Sequence, residues 1–176
     1  MDLAQAALAD TPRLAPKVRI VGHMQAAQGH ALVGDRTMVD RSLDQAAGLF
    51  DQVDDDLPWG NAFRRTPGYV EAQRATCYGH LGLAPESAAL WGDVIDAQPG
   101  SYRRDSGVYL ARHARALLAA GEPYEATSKA RQAVTCFRDT GSARMRLELA
   151  KLRDHAGQWT STSAGRDLVD ALDHLN

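Results

Sequence analysis

The sequence predicts an all-α fold built as an array of antiparallel helix pairs, and three observations carry that expectation. Hydrophobic residues make up 44% of the 176-residue chain but aromatics only 6%, and an Ala/Leu-dominated composition suits close-packed helices better than sheets. Apolar positions recur at steps of three and four along most of the chain, and no stretch alternates apolar and polar residues over a strand's length. A glycine-centred pattern also occurs three times, at Gly34, Gly82 and Gly121.

Taken in order, residues 1–16 are a short N-terminal segment whose Ala/Leu-rich stretch 2–10 is cut by Thr11-Pro12 and Pro16. Lys17 to Val33 reads as an amphipathic helix on Val18, Val21, Met24, Ala27, Ala31 and Leu32, stopped at Gly34-Asp35; glycine is free to take the left-handed position that ends a helix. A second helix runs from about Thr37 to Gln52 on Val39, Leu43, Ala46, Ala47 and Phe50. The acidic run Asp54-Asp55-Asp56 before Leu57-Pro58-Trp59-Gly60 is a loop, with Trp59 and Phe63 expected to tuck its end onto the helices. Its three carboxylates lack the glycine and terminal Glu of a calcium loop, and adjacent residues do not converge on one ion. Residues 66–82 resume the helix (Tyr69, Ala72, Ala75, Thr76, Tyr78, Gly79), and Pro85 to Ala97 follows on Ala88, Leu90, Trp91, Val94 and Ile95, with Pro85 suited to a first turn. After the stop at Gln98-Pro99-Gly100 comes Arg104–Ala120, on Val108, Leu110, Ala111, Ala114, Leu117 and Leu118. Pro123 opens the next helix, on Tyr124, Ala126, Ala130, Ala133, Val134 and Phe137, which ends at Thr140-Gly141. Ser142 is placed to cap the helix over 143–156, whose apolar positions are Met145, Leu147, Leu149 and Leu152. A polar break at 158–163 precedes a final helix over about 164–175. The expected organisation is one domain over 1–176, with helix pairs at 17–56, 66–99 and 104–140 and a closing pair or cap at 142–176.

The repeat lies in the small residues. Seven residues before the three glycines stand Ala27, Ala75 and Ala114, and five after them stand Val39, Ser87 and Ala126. Small side chains at these points let two antiparallel helices approach closely. Here the chain resembles the tetratricopeptide repeat, although its glycines are 48 and 39 residues apart. The succession DDDLPW, EAQRATCYGHLGLAPESAALW, SYRRDSGVYLARHARALLAAGEPYEATSKARQAV and TGSARMRLELAKLRD is similar to the C-terminal, tetratricopeptide-like region of actinobacterial helix-turn-helix transcriptional regulators of the lambda-repressor-like (XRE) class. The likeness covers roughly residues 17–175 and implies a TPR-like superhelical array of three to four repeats, roughly eight helices. In that family a DNA-binding domain precedes the repeats. Only a short segment does so here, so a standalone relative or an excised sensor portion is expected, with no direct binding of nucleic acid.

Charge says more by its distribution than by its sum. The net charge of −2 argues against a general nucleic-acid-coating protein. Residues 1–99 carry −5, residues 100–153 carry eleven Lys/Arg against five Asp/Glu for +6, and residues 154–176 carry −3. A basic middle between acidic flanks favours an anionic ligand or a complementary chain. There is no signal peptide pattern and no apolar run near the roughly 20 residues of a bilayer span, so a cytoplasmic protein without membrane contact is expected.

In stacked helix pairs the first helices line a concave face. Counting from the glycines, the groove candidates are Met24 and Gln28, then Tyr69, Thr76 and His80, then Ala111 and Arg115, with Arg144 and Lys151 added by the fourth unit. This mixed groove with a basic end suits a peptide or an anionic small molecule. The carboxylate-clamp version of the repeat places Lys and Asn where this chain has Met24, Ala72, Ala111 and Gln28, Thr76, Arg115, so chaperone C-termini are not the expected ligand. Tyr102-Arg103-Arg104 is the densest basic-aromatic spot.

Catalytic patterns are wanting. Cys77 and Cys136 have no metal-ligand spacing and read as buried thiols. His23 and His30 lie seven apart, too far along a helix for one ion, and His80, His113, His155 and His174 form no better pair. Cys77 and His80 sit one turn apart but without a third orienting group. No phosphate-cradling loop or dinucleotide fingerprint occurs. The expectation is a non-catalytic, cofactor-free regulatory module taking a peptide, protein or small-molecule effector. A protein–protein scaffold or homodimerisation module, with the acidic tail helix packing on the basic 129–153 region of a neighbour, is the alternative. An enzyme on a helical scaffold stands third.

Overall fold

The computed structural model describes residues 14–53 and 68–173, together with Ala4, Ala6, Leu8 and Ala9. Between Leu14 and Asp173 the described residues form eight α-helices and two short 3-10 turns, and no strand. The acidic run at 54–60, expected as a loop, and Trp59, Phe63, His174 and most of the segment 2–10 lie outside the described residues. By its internal contacts the chain divides into two compact units, one ending at Leu83 and the other beginning at Ala84.

In the first unit α1 (Pro16–Leu32) and α2 (Arg36–Ala47) pair, and α3 (Tyr69–His80) packs on both. Asp35 caps α2 by accepting from the Met38 N–H at 3.0 Å, which meets one of the free donors at a helix start. A 3-10 turn, Phe50–Gln52, follows α2. The core is Ile20, Met24, Ala27 and Ala31 against Val39, Leu43 and Ala46, with Ala72 and Ala75 from α3.

In the second unit α4 (Ala84–Asp96) packs on α5 (Arg103–Ala119). Helix α5 packs on α6 (Pro123–Thr140) and α7 (Ala143–Ala156), and α8 (Ser163–Asp173) lies on α6 and α7. Ser142 caps α7 by accepting from the Met145 N–H, as expected. A second 3-10 turn, Gly157–Trp159, leads towards α8. Thr162 caps α8, accepting from the Gly165 N–H at 3.0 Å while donating to the Trp159 carbonyl at 2.8 Å. The single Thr127 hydroxyl proton is shared between the Pro123 carbonyl at 2.8 Å and the Ala164 carbonyl at 3.0 Å, tying α6 to the start of α8. Gly107 admits α7 closely, since a Cβ there would overlap the Met145 side chain.

The repeated turn is local and physical. Gly34, Gly82 and Gly121 have φ of 81°, 76° and 85°, the left-handed region that glycine alone enters cheaply. The same pair of closing hydrogen bonds forms around each of them. The glycine N–H donates three residues back, to Ala31, Gly79 or Leu118, and the next N–H donates five residues back, to His30, Tyr78 or Leu117. These bonds satisfy carbonyls that a helix end leaves free. The aligned Ala27, Ala75, Ala114, Val39, Ser87 and Ala126 are all buried.

On several helices the buried face differs from expectation. On α1 the buried stripe is Ile20, Met24, Ala27 and Ala31, while Val18, Val21 and Leu32 are exposed, Leu32 at 72%. Two apolar stripes compete on this helix, and α2 and α3 both pack on the side that Ile20 shares. Tyr124 on α6 and Leu147 on α7 also point out of the core, 73% and 64% exposed, because the buried faces there run through Ala126, Ala130, Ala133 and Phe137, and through Met145, Leu149 and Leu152. Ala47 is exposed at the end of α2.

Candidate functional site

Helices α5 and α7 of the second unit carry a polar cluster built around one carboxylate. Helix α5 presents Arg112 and Arg115 one turn apart, and α7 presents Glu148 and Lys151 at the same spacing, which puts each pair on one face. Arg112 Nη2 donates to Glu148 Oε1 at 3.0 Å. Arg115 Nη1 lies 3.6 Å from Oε2, and Lys151 Nζ lies 3.5 Å from Oε1. Glu148 is only 7% exposed, whereas Lys151 is 57% exposed. Arg112 also stands 5.9 Å over the Trp91 ring, a cation–π placement, and Trp91 in turn meets Tyr109 at 5.3 Å. Burial opposes the charge on Glu148, but the hydrogen bond and charge of Arg112, with Lys151 and Arg115, outweigh it and hold the carboxyl below its ordinary value.

Three cations against one carboxylate leave this cluster with a local excess of +2. Glu148 occupies only part of the donor capacity of two guanidiniums and an ammonium, so the outer edge formed by Arg115 and Lys151 retains N–H groups for a second anion.

Of the candidates drawn from sequence, Arg115 and Lys151 are brought together through Glu148. Arg144 stands apart, 3.6 Å from Asp105. In the first unit Met24 is buried in the core of α1 rather than presented at a surface. Gln28 Nε2 donates to Gln73 Oε1 at 3.0 Å, joining α1 to α3. Tyr69 is half-buried at the start of α3, Thr76 donates to the Ala72 carbonyl of its own helix, and His80 is exposed at the end of α3. Arg103 pairs with Asp139. The acidic tail helix α8 packs within its own chain, with Arg153 2.6 Å from Asp173.

Glu148 and Arg112 were not singled out from sequence. A signal for Glu148 exists: it occupies a slot of the stripe Met145, Leu149, Leu152, where a carboxylate requires a buried partner.

The first unit holds the inverse arrangement. Arg74 on α3 bonds Asp40 at 2.8 Å and Asp44 at 2.7 Å on α2, and Glu71 at 3.2 Å on its own helix. Tyr78 Oη also donates to Asp40 at 2.9 Å. Burial disfavours the charge on Arg74, but the bonds with Asp44, Glu71 and Asp40 hold its proton beyond the ordinary arginine range.

The remaining reactive side chains are quiet. Burial pushes the Cys77 thiol up to about 11 against the opposing charge of Arg74, while His80, one turn on, is exposed. Cys136 is half-buried and also raised, first by burial. His113 is buried with Nδ1 unbonded, and burial, then the charge of Lys129, lowers its pKa to about 4. Burial and Arg19 lower His23 as well. Among the described residues no three His, Cys, Asp or Glu side chains are grouped to hold a metal ion, and no helix is long and apolar enough to cross a membrane. No family model matches the chain, and neither a curated protein nor a solved structure matches it significantly.

Proposed function

We propose that the chain is a non-catalytic, tetratricopeptide-like regulatory module, the sensor part of a transcriptional regulator, which takes an acidic peptide or small anionic signal on α5 and α7. The observation that carries this reading is the Arg112–Arg115–Lys151 cluster around buried Glu148. The internal carboxylate pre-organises the guanidiniums, so a ligand carboxylate or phosphate meets donors already ordered. The three equivalent glycine turns support the repeat architecture, and the first-helix placement of Arg115 and Lys151 is where such repeats bind extended ligands.

The test is thermal unfolding with a short poly-glutamate peptide, inorganic phosphate and a dicarboxylate. A ligand at a hundred times its Kd contributes about 2.7 kcal/mol, a rise of roughly 5–10 °C for a chain of this size. Arg115→Gln with Lys151→Gln should abolish the rise while keeping the helical circular dichroism. Absence of a shift with all three anions removes the reading.

A further inference from the structure

Helices α6 and α8 border two adjoining recesses of about 370 and 450 Å³, which share Arg131 and Asp167. Arg131 and Arg138, on the α6 wall, are seven residues apart, which is two turns on one face. Asp167 and Asp170 stand on the α8 wall, with Val134 and Ala171 between the walls. All four charged side chains are exposed. None of the four forms an ion pair with a described residue, although flexible arginines and carboxylates border the same recess. Arg166 turns the other way, to the Thr160 and Ser161 carbonyls, and Arg153 and Asp173 satisfy each other. At the far end of the cleft Tyr124 is 73% exposed, its hydroxyl 3.4 Å from the Ser163 hydroxyl. Arginine and tyrosine are the residue types enriched at protein interfaces.

A cleft with cations on one wall and carboxylates on the other is its own complement. A two-fold axis running along the cleft carries the Arg wall of one molecule onto the Asp wall of the other. An isologous contact of this kind pairs each patch with itself. We infer that the α6–α8 cleft is a homodimerisation surface, in which Arg131 and Arg138 of one copy pair with Asp167 and Asp170 of the other while Tyr124 is covered at the rim. A second copy fits better than an unrelated helix because both charge signs it must supply are already present in this cleft. Exposed ion pairs contribute weakly and are screened by salt, so the dimer forms reversibly and is favoured at low ionic strength. This contact uses the second helices and leaves Arg115 and Lys151 of the proposed ligand site out of it.

Sedimentation equilibrium of the full chain tests the inference. The wild type should associate to a dimer at about 0.1 M salt, where the screening length is about 10 Å, and weaken at least about tenfold at 1 M, where it is about 3 Å. Arg131→Asp with Arg138→Asp, and separately Asp167→Arg with Asp170→Arg, should each be monomeric. An equimolar mixture of the two should dimerise again, since one variant then has two acidic walls and the other two basic ones. Circular dichroism checks that both fold, and Arg131→Gln with Arg138→Gln replaces a variant that does not, with a Kd raised at least about tenfold. A wild type that stays monomeric at both salts overturns the inference. So does association that neither salt nor the charge reversals alter, or a folded mixture that fails to pair.

Discussion

The two units solve the same problem with opposite signs. In the first, Arg74 is surrounded by the three carboxylates of Asp40, Asp44 and Glu71, with Arg36 a second, more distant cation 3.7 Å from Asp40. In the second, one carboxylate, Glu148, is surrounded by the three cations Arg112, Arg115 and Lys151. Both clusters join neighbouring helices, α2 to α3 and α5 to α7, and in each the central group is the least exposed member. A guanidinium with its fixed fork serves three acceptors, and a carboxylate with two oxygens serves three donors. Their outward consequences differ: the first cluster presents excess negative charge and the second excess positive charge. The acidic first half and basic middle of the sequence therefore describe, in part, the outer shells of two inverse clusters. Only the second has the sign and the exposed donors to attract an anion.

Breaking the centre of each cluster should separate them most sharply. Glu148→Ala leaves Arg112, Arg115 and Lys151 facing one another around a vacated, largely buried position, and should cost about 3 kcal/mol in urea unfolding. Amide hydrogen exchange should localise the loss to α5 and α7. Glu148→Gln should cost less, because it keeps the shape and an acceptor. Arg74→Ala should cost about 2 kcal/mol, less than Glu148→Ala because its partners are more exposed and re-solvate. Arg74→Lys should recover only part of this, since an ammonium lacks the planar fork that reaches Asp40 and Asp44 together. Equal costs for the two deletions would show that burial of the central group does not set the difference.

Acid distinguishes the units next. His113 has a folded pKa near 4, below its ordinary 6.5, so in this interval the unfolded chain binds a proton that the folded one refuses. Stability is unaffected by His113 above about pH 6.5 and falls as pH drops towards 4, by at most about tenfold in the folding equilibrium per pH unit. His113→Gln should flatten that slope more than His23→Gln in the first unit. Glu148 acts later. Its contribution is present above the usual carboxylate range and lost as pH falls through its depressed folded pKa. An unchanged slope in His113→Gln would place the acid sensitivity elsewhere.

The smallest effects test the likeness of the units rather than their contrast. Gly34→Ala, Gly82→Ala and Gly121→Ala should each cost about 1 kcal/mol. Nothing lies within 4 Å of the added Cβ at any of the three, so the penalty is purely that of the left-handed backbone. Unequal costs would break the equivalence of the three turns.

Most helices and their stops are legible in the sequence to within a few residues, but α2 ends at Ala47, five residues before the expected Gln52, and a separate 3-10 turn covers Phe50–Gln52. The expected stretches 143–156 and Arg104–Ala120 appear as Ala143–Ala156 and Arg103–Ala119. The candidate site was half legible. Arg115 and Lys151 follow from register, but their common partner Glu148 was hidden among the basic residues of α7. Register places Met24 at a groove position, yet it belongs to the core. The recess between α6 and α8 leaves no mark in the sequence, since it depends on how far two helices stand apart.

What the sequence alone determined is what short-range physics decides: period-3.6 apolar spacing, glycine at positive φ, Ser142 and Pro123 at helix starts, and small alanines where helices meet. These depend on residues within one or two turns of each other. Tertiary structure alone decided which of two apolar stripes on α1 is buried, and that α8 spends Asp173 on Arg153 of its own chain. It also decided that the charges divide into a cationic and an anionic centre. Those outcomes depend on partners thirty or more residues away for Arg74 with Asp40 and Asp44, and for Arg112 with Glu148. Local periodicity carries no record of such pairings, because a side chain meets its partner only when the helices pack.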